Sequence, residues 1–135
     1  PDRELVSQLA PTLMVGGDRE SLHQAILNLV ANACRHTPPT TTIEVVARRD
    51  ASAAVVEVVD HGGGVAPEHR ERIFEPFFQA DDARTNNVGS AGLGLALALQ
   101  IVEAHRGDLH VDDTPGGGAT FVVTLPEADD PGPGR

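Results

Sequence analysis

The sequence predicts an α/β fold in which a long helix is followed by two paired strands, a second helix and two closing strands. From Asp18 to Thr37, apolar residues recur at the spacing of an amphipathic helix. Thr41 to Arg48 alternates polar with apolar residues, and Ala53 to Val59 is rich in Val, as is typical of strands. The chain has 135 residues and is 40% hydrophobic, which suits one domain with a single core.

The first half of the chain has clear boundaries for these elements. Asp18 is a good N-cap for the first helix, and Pro38 and Pro39 end that helix. A short strand is predicted from Thr12 to Val15, whereas the residues before it carry little signal. Residues 49–52 form a short polar link, so the two Val-rich segments are predicted to form an antiparallel hairpin.

The second half begins with a short predicted helix from Pro67 to Ile73, which has Pro in its first turn. A longer helix is predicted from Leu95 to His105, with Gly107 as its C-cap. Leu109 to Val111 and Ala119 to Leu125 are predicted to be the closing strands. These elements complete a mixed pattern of helices and strands within one domain.

Two segments are predicted to have no regular structure. Gln79 to Ala91 is polar, contains Gly and lacks periodicity, so it is expected to be a loop that is long enough to close over a ligand. From Glu127 the chain is acidic and rich in Pro and Gly, which favours disorder. The expected organisation is therefore one domain over residues 1–126 and a tail over 127–135.

Composition excludes some classes of function. The net charge of −10 disfavours a nucleic-acid-binding surface, although it leaves room for a nucleotide held by local donors. The chain contains no Lys, so a Walker A phosphate loop is ruled out. The single Cys34 cannot form an internal disulfide, which fits a reducing compartment. The longest apolar run, Leu93 to Leu99, is too short to span a bilayer.

The first helix carries an unusual polar pair. Asn28 and Asn32 are four residues apart and therefore lie on one side of the helix, although Asn is a poor helix former. Their amide oxygens are hard ligands suited to Mg²⁺, and the following Arg35 suits phosphate oxygens. The alternative is that the two amides satisfy neighbouring loops from a buried helix, and the helix alone does not decide between these interpretations.

Clusters of glycine follow at strand and helix ends. Asp60 ends the second strand and precedes Gly62, Gly63 and Gly64, so its carboxylate lies beside a backbone that a flat ligand could approach. The alternative is a common Asp-Gly turn. Gly-rich residues 89–94 lead into the second helix, where free N–H groups form a ready anion site.

Five motifs in order resemble the ATP-binding catalytic domain of bacterial sensor histidine kinases, from the superfamily that includes gyrase, Hsp90 and MutL. They are the Asn helix, Asp60 to Gly64, Phe74 to Phe78, Gly92 to Gly94, and Gly116 to Thr120. The resemblance runs from about Val15 to Leu125. It implies a two-layer α/β sandwich of the Bergerat type, with a mixed sheet packed on helices and with ATP and Mg²⁺ as the expected cofactors.

The resemblance also implies site residues. Asp60 would accept a hydrogen bond from the adenine amino group, and Thr120 would lie near the adenine. Asn32, with Asn28 beside it, would hold Mg²⁺, and the catalytic set would be Asn28, Arg35 and Arg84. The full set expected to bind the nucleotide is Asn28, Asn32, Arg35, His36, Asp60, Gly62, Gly64, Gly92, Leu93, Gly94, Leu95 and Thr120.

Position 28 bears on the reaction. ATP-hydrolysing relatives place a Glu there to activate water, and an amide cannot accept a proton in that way. Asn28 therefore favours a kinase that transfers its phosphoryl group to a histidine on a separate dimerisation domain. None of the six His residues lies in the acceptor motif of the family, in which an acid and then a Pro follow the His. The chain alone is thus expected to bind ATP without phosphorylating itself.

The resemblance has departures and alternatives. Gln79 and Asn86 stand where the family often has Arg, and Arg35 replaces a frequent Lys. The alternatives are a related serine kinase that binds a sigma factor, and a non-catalytic nucleotide-binding or interaction module. The chain is expected to be a monomeric piece of a homodimeric, membrane-anchored sensor kinase. Its expected place is the cytoplasmic part of that kinase, and its expected partners are its own phosphoacceptor domain and a response regulator.

Overall fold

The computed structural model describes residues 5–9, 19–51, 53–78 and 93–126. The helices are α1 (Arg19–Arg35) and α2 (Gly94–Ala104), with two short 3-10 turns at Pro67–His69 and Arg72–Phe74. The strands are β1 (Leu5–Leu9), β2 (Ile43–Asp50), β3 (Ala53–Val59), β4 (Asp108–Asp113) and β5 (Ala119–Pro126). The predicted strand at Thr12 to Val15 and the predicted N-cap Asp18 lie outside the described residues.

The five described strands form one mixed sheet in the order β1-β2-β3-β5-β4. The first pair is parallel, and the other three pairs are antiparallel. The predicted β2–β3 hairpin is confirmed, and its turn places Ala51 in a left-handed conformation with φ of 57°. β1 was missed, because Leu5–Leu9 pairs with residues of β2 almost forty positions later in the chain.

Both helices pack on one face of this sheet, which confirms the two-layer α/β sandwich. The core between the layers is built from aliphatic side chains with one large aromatic ring. Leu29 of α1, Val58 of β3 and Val102 of α2 are fully buried, and Phe121 of β5 is 1% exposed. Phe74 packs edge-on against Phe121 with ring centroids 6.1 Å apart, so the second 3-10 turn is anchored to the core.

The ends of α1 and α2 depend on different residues. The Thr37 hydroxyl donates to the Ala33 carbonyl at 2.8 Å, in addition to the His36 N–H at 3.3 Å, and so helps to pair the carbonyls in the last turn of α1. At the end of α2 the left-handed residue is Arg106, with φ of 64°, and not the predicted C-cap Gly107. Gly107 is needed for space, because a Cβ there would lie 2.5 Å from the Thr124 carbonyl oxygen of β5.

Two further boundaries differ from the sequence prediction. The predicted helix from Pro67 to Ile73 is instead a pair of 3-10 turns, each three residues long. β4 extends over Asp108–Asp113, beyond the three residues predicted, because its pairing with β5 continues to the hairpin turn. These differences leave the predicted order of elements from α1 to β5 intact.

Candidate nucleotide-binding site

Asp60 lies immediately after β3 and is only 4% exposed. One of its carboxylate oxygens, Oδ1, accepts hydrogen bonds from the backbone N–H groups of Gly62 and Ala119, each at 3.0 Å. Its own N–H donates to the Ala119 carbonyl at 2.9 Å. No described residue forms a hydrogen bond with the other oxygen, Oδ2. The carboxylate is therefore fixed by backbone donors and retains one acceptor for a ligand.

Close backbone approach explains the glycines around Asp60. A Cβ at Gly62 would lie 2.7 Å from Thr37 Cγ2, so the loop after β3 touches the end of α1. Gly118 has φ of +117°, and a Cβ there would collide with the backbone of Asp60 and His61. Gly64 is also left-handed, with φ of +79°. Side chains at Gly62 or Gly118 would therefore displace the backbone that holds Asp60.

The two asparagines of α1 differ in their contacts. Asn32 is 7% exposed, and its side-chain amide has no hydrogen bond to the part of the chain that the structure describes. Asn28 is half-buried, and both ends of its amide are engaged. Its Oδ1 accepts from Gln24 Nε2 at 2.8 Å, and its Nδ2 donates to the Gly94 carbonyl at 3.2 Å. Asn32 is therefore the amide with more freedom to ligate a cation.

His36 and Arg35 follow at the end of α1, on the side of Asp60. Partial burial lowers the pKa of the His36 imidazole below its usual value of 6.5, and the Arg35 charge lowers it further. The Asp60 carboxylate acts in the opposite direction and is the weakest of the three influences. His36 is therefore neutral near pH 7 and can offer both an acceptor and a donor nitrogen.

The start of α2 comes together with α1. Its N-cap, Leu93, makes no hydrogen bond from a side chain to the helix, so the first N–H groups of α2 have no such cap. The Leu97 N–H donates to the Leu93 carbonyl at 2.9 Å, which begins the helix. Leu95 packs against the core. The predicted residues Gly92 and Arg84 lie outside the described residues, as does the whole predicted loop from Gln79 to Ala91.

Thr120 is not brought to the face on which α1 lies. Its neighbours Ala119 and Phe121 belong to the core, and successive strand residues point to opposite faces of a sheet. The Thr120 hydroxyl instead forms a 2.8 Å hydrogen bond with the buried Thr114 hydroxyl. The group of β5 that contacts Asp60 is the backbone of Ala119, so the role of the Thr120 side chain near an adenine stays a prediction.

Sequence reasoning did not assign some residues that the structure places in this site. Thr37 and Gly118 pack against the loop after β3, Ala119 donates to Asp60, and Gln24 contacts Asn28. The spacing of four residues between Gln24 and Asn28 was the available signal for that pair. Gly118 and Ala119 lie in the motif Gly116 to Thr120, which marked that segment without giving these two residues a role. Their contacts, like that of Thr37, join segments that are distant in the sequence.

The arrangement fits an anionic ligand with a polar, planar end. The Asp60 carboxylate lies near the end of α1, and the N-terminus of α2 contacts Asn28 in its middle. Asn32, whose amide has no hydrogen bond to a described residue, lies between them on α1. No cluster of three or more His, Cys, Asp or Glu side chains suited to a metal occurs in the described ranges. A hard divalent cation would therefore depend on an amide oxygen together with oxygens of the ligand, as Mg²⁺ commonly does.

The family of the chain is shown by its match to known proteins. Residues 17–129 match the family described as histidine kinase-, DNA gyrase B-, and HSP90-like ATPase, so the chain belongs to this family. The resemblance stated from the motifs is thereby confirmed. None of the helices in the described ranges is both long and apolar enough to cross a membrane.

The individual relatives are sensor histidine kinases. SenX3 of Mycobacterium tuberculosis is 38% identical over 125 residues, which cover 93% of this chain and 30% of SenX3. The mycobacterial sensor histidine kinase MprB has a structure with a TM-score of 0.81 and 32% identity, covering 93% of this chain and 83% of that one. Full-length ShkA in complex with AMPPNP gives a TM-score of 0.79 and 32% identity, covering 93% of this chain and 26% of ShkA. The chain thus spans less than a third of SenX3.

Proposed function

We propose that the chain binds Mg-ATP between α1, the end of β3 and the start of α2. The observation that carries this proposal is the geometry of Asp60. Two backbone N–H groups hold one carboxylate oxygen, and no described residue occupies the other. An adenine amino group can donate to that oxygen, whereas guanine presents an acceptor at the same position and would be repelled. The AMPPNP complex of ShkA supports this choice of ligand.

The remaining site residues are assigned to the phosphates and the cation. Asn32 is the proposed ligand of Mg²⁺, with Asn28 beside it, because its buried amide has no described hydrogen-bond partner. When bound, the cation would neutralise charge on the phosphate oxygens. Arg35 and His36 provide donors at the end of α1. The backbone of Gly92, Leu93, Gly94 and Leu95 leads into α2 and would receive phosphate oxygens, and Arg84 would reach them from the loop that precedes it.

In the complete protein we propose transfer of the γ-phosphoryl group to a histidine on a separate dimerisation domain of the same sensor kinase. A response regulator would then receive the phosphoryl group. The amide of Asn28 cannot act as a general base, so hydrolysis of ATP by water is expected to be slow. We propose that residues 1–126 form the catalytic unit, that the chain alone is a monomer, and that the full protein is a membrane-anchored homodimer with this domain in the cytoplasm.

Calorimetric titration with a non-hydrolysable ATP analogue, with and without Mg²⁺, tests the proposal. Asp60→Asn keeps the oxygen that accepts from Gly62 and Ala119 but presents an amide N–H₂ to the adenine. We expect this substitution to weaken binding at least tenfold, which is about 1.4 kcal/mol. Asp50→Asn is the matched control, because Asp50 is a 68% exposed carboxylate at the β2–β3 turn. Equal affinity of the two variants would contradict the assignment.

Phosphoryl transfer needs a second measurement. Radiolabelled ATP is supplied to the chain together with a purified helical domain that carries an acceptor histidine from a sensor kinase. Label that is acid-labile and appears on the acceptor supports the kinase assignment. Tight nucleotide binding without transfer to any supplied acceptor would favour a non-catalytic nucleotide-binding module, and transfer to serine would favour the anti-sigma-type kinase.

A further inference from the structure

Gln24 lies one helical turn before Asn28 on the exposed side of α1, and its side chain makes a specific contact. Gln24 Nε2 donates to Asn28 Oδ1 at 2.8 Å. Pairs of Gln and Asn at this spacing face each other on a helix and stabilise it only slightly. The contact therefore matters mainly through what it does to Asn28.

An amide side chain has one accepting end and one donating end, and its orientation decides which neighbour each end meets. With Gln24 donating to Oδ1, the Asn28 Nδ2 faces the Gly94 carbonyl and donates to it at 3.2 Å. If the amide were reversed, Oδ1 would face the Gly94 carbonyl oxygen, and Nδ2 would face the Gln24 N–H₂ group. Both contacts would then be repulsive unless the Gln24 amide turned as well, so the Gly94 carbonyl and the Gln24 donor together favour the orientation that joins the helices.

The contact with Gly94 joins two parts of the site. Gly94 is the first residue of α2, and a Cβ at that position would lie 4.0 Å from Asn28 Cβ. The Asn28 amide thus links the middle of α1 to the N-terminus of α2, whose N-cap Leu93 offers no capping side chain. This link therefore helps, together with the packing of α1 on α2, to set the position of the N-terminus relative to Asn32.

We propose that Gln24 is a positioning residue that acts through Asn28 to hold the N-terminus of α2 against α1. This inference rests on the proposed function, because it assigns the aligned N-terminus of α2 to the phosphates of the nucleotide. It also separates the two asparagines. The Asn28 oxygen is engaged by Gln24, so Asn28 connects the helices and Asn32 ligates the cation.

Three substitutions at position 24 separate this role from helix propensity. Gln24→Arg keeps a donor that can reach Asn28 Oδ1, Gln24→Ala removes it, and Gln24→Glu presents only acceptors and favours the reversed amide. Ala, Arg, Gln and Glu are all good helix formers, so propensity alone predicts nearly equal behaviour of the three variants. His23→Arg and His23→Glu are the matched controls, because His23 is the exposed neighbour and reports the effect of charge alone.

We expect the affinity for the ATP analogue, measured by calorimetry, to be higher in variants whose side chain at position 24 can donate a hydrogen bond to Asn28 Oδ1. Gln24→Arg should bind like the unsubstituted chain after correction for the His23 controls, and Gln24→Ala about three- to tenfold more weakly. Gln24→Glu should be weaker than Gln24→Ala. Each variant should lose the same factor of affinity with and without Mg²⁺, because the substitution moves the N-terminus of α2 and leaves Asn32 in place. Affinities that merely track the charge changes at His23, or a loss confined to the Mg²⁺-containing titration, would overturn the proposal.

Amide hydrogen exchange, measured without nucleotide, tests the role of Gln24 independently of the proposed function. The Leu97 N–H makes the first intrahelical bond of α2. Its exchange should be about three- to tenfold faster in Gln24→Glu than in Gln24→Arg. The amide of the buried Val102 should be unchanged in both variants. If the unsubstituted chain fails to bind nucleotide, the proposed function fails, and equal exchange at Leu97 in the two variants would still refute the role of Gln24.

Discussion

Substitution of Gly62 by Ala tests how closely the loop after β3 is packed on α1. The added methyl group would lie 2.7 Å from Thr37 Cγ2 and 3.0 Å from the His36 carbonyl oxygen. Thr37 is 9% exposed, and its hydroxyl is held by the Ala33 carbonyl at 2.8 Å, so its side chain cannot rotate away freely. Overpacking of this kind costs about 1–3 kcal/mol, so we expect Gly62→Ala to lower the free energy of unfolding by about 2 kcal/mol.

A double-mutant cycle identifies the conflicting atom. Thr37→Ser removes Cγ2 but keeps the hydroxyl that donates to Ala33, and alone it should lower the free energy of unfolding by about 1 kcal/mol for one buried methyl group. In the double variant the conflict at Cγ2 is gone, so the combined loss should fall short of the sum by about 1–2 kcal/mol. The rescue is incomplete because the His36 carbonyl stays close.

The assay is urea unfolding of the four proteins of the cycle, combined with calorimetric titration of the ATP analogue. Nucleotide affinity should fall in Gly62→Ala, because the Gly62 N–H donates to Asp60 Oδ1. Gly63→Ala is the matched control one residue away. A Cβ there meets nothing within 4 Å, and the backbone is not left-handed, so its free energy of unfolding should change by less than about 0.5 kcal/mol. If Gly62→Ala were as stable as Gly63→Ala, or if the cycle were additive, the argument from close packing would be refuted.

Three further predictions concern stability. Folding lowers the pKa of His36 below its usual value of 6.5. As the pH falls toward and below 6.5, the unfolded state therefore binds more protons than the folded state, and the free energy of unfolding decreases. His36→Gln should reduce the difference between urea unfolding at pH 8 and at pH 5.5, and an unchanged difference would contradict this assignment. Leu29→Ala should lower the free energy of unfolding by about 2–5 kcal/mol, because Leu29 is fully buried between the layers, and a loss below about 1 kcal/mol would place it outside the core. Arg106→Gly should raise the melting temperature, because Arg106 has φ of 64° and glycine adopts that conformation without strain, and a lower melting temperature would show that the Arg side chain stabilises the helix end.

Local patterns in the sequence were sufficient for most of the elements. α1 was predictable from helical spacing and from the Pro pair that follows it, and the β2–β3 hairpin from Val-rich segments with a short link. The position of Asp60 at a strand end and the family also followed from motifs in order. Such features depend on the spacing of a few neighbouring residues. In a helix or a strand, that spacing determines which side chains share a face and where the element ends.

Other features arise only from pairing between distant segments. β1 has a weak pattern of its own and is a strand because β2 offers it backbone partners. Gly107 was expected to be the C-cap of α2, but the left-handed residue is Arg106, and Gly107 is needed because β5 approaches too closely for a side chain there. Thr120 was expected near an adenine; its hydroxyl bonds to the Thr114 hydroxyl, and a role near a ligand stays a prediction.

The sequence by itself therefore determined the family, the order of elements from α1 to β5 and the residue types gathered for a nucleotide. The tertiary structure decided which of them act together. Asp60 is fixed by the backbone of a residue 59 positions later, and Asn28 contacts a carbonyl 66 positions later. Such contacts depend on how the sheet pairs and the helices pack, because a hydrogen bond requires atoms within about 3 Å, and spacing along the chain specifies that distance only within a turn or two.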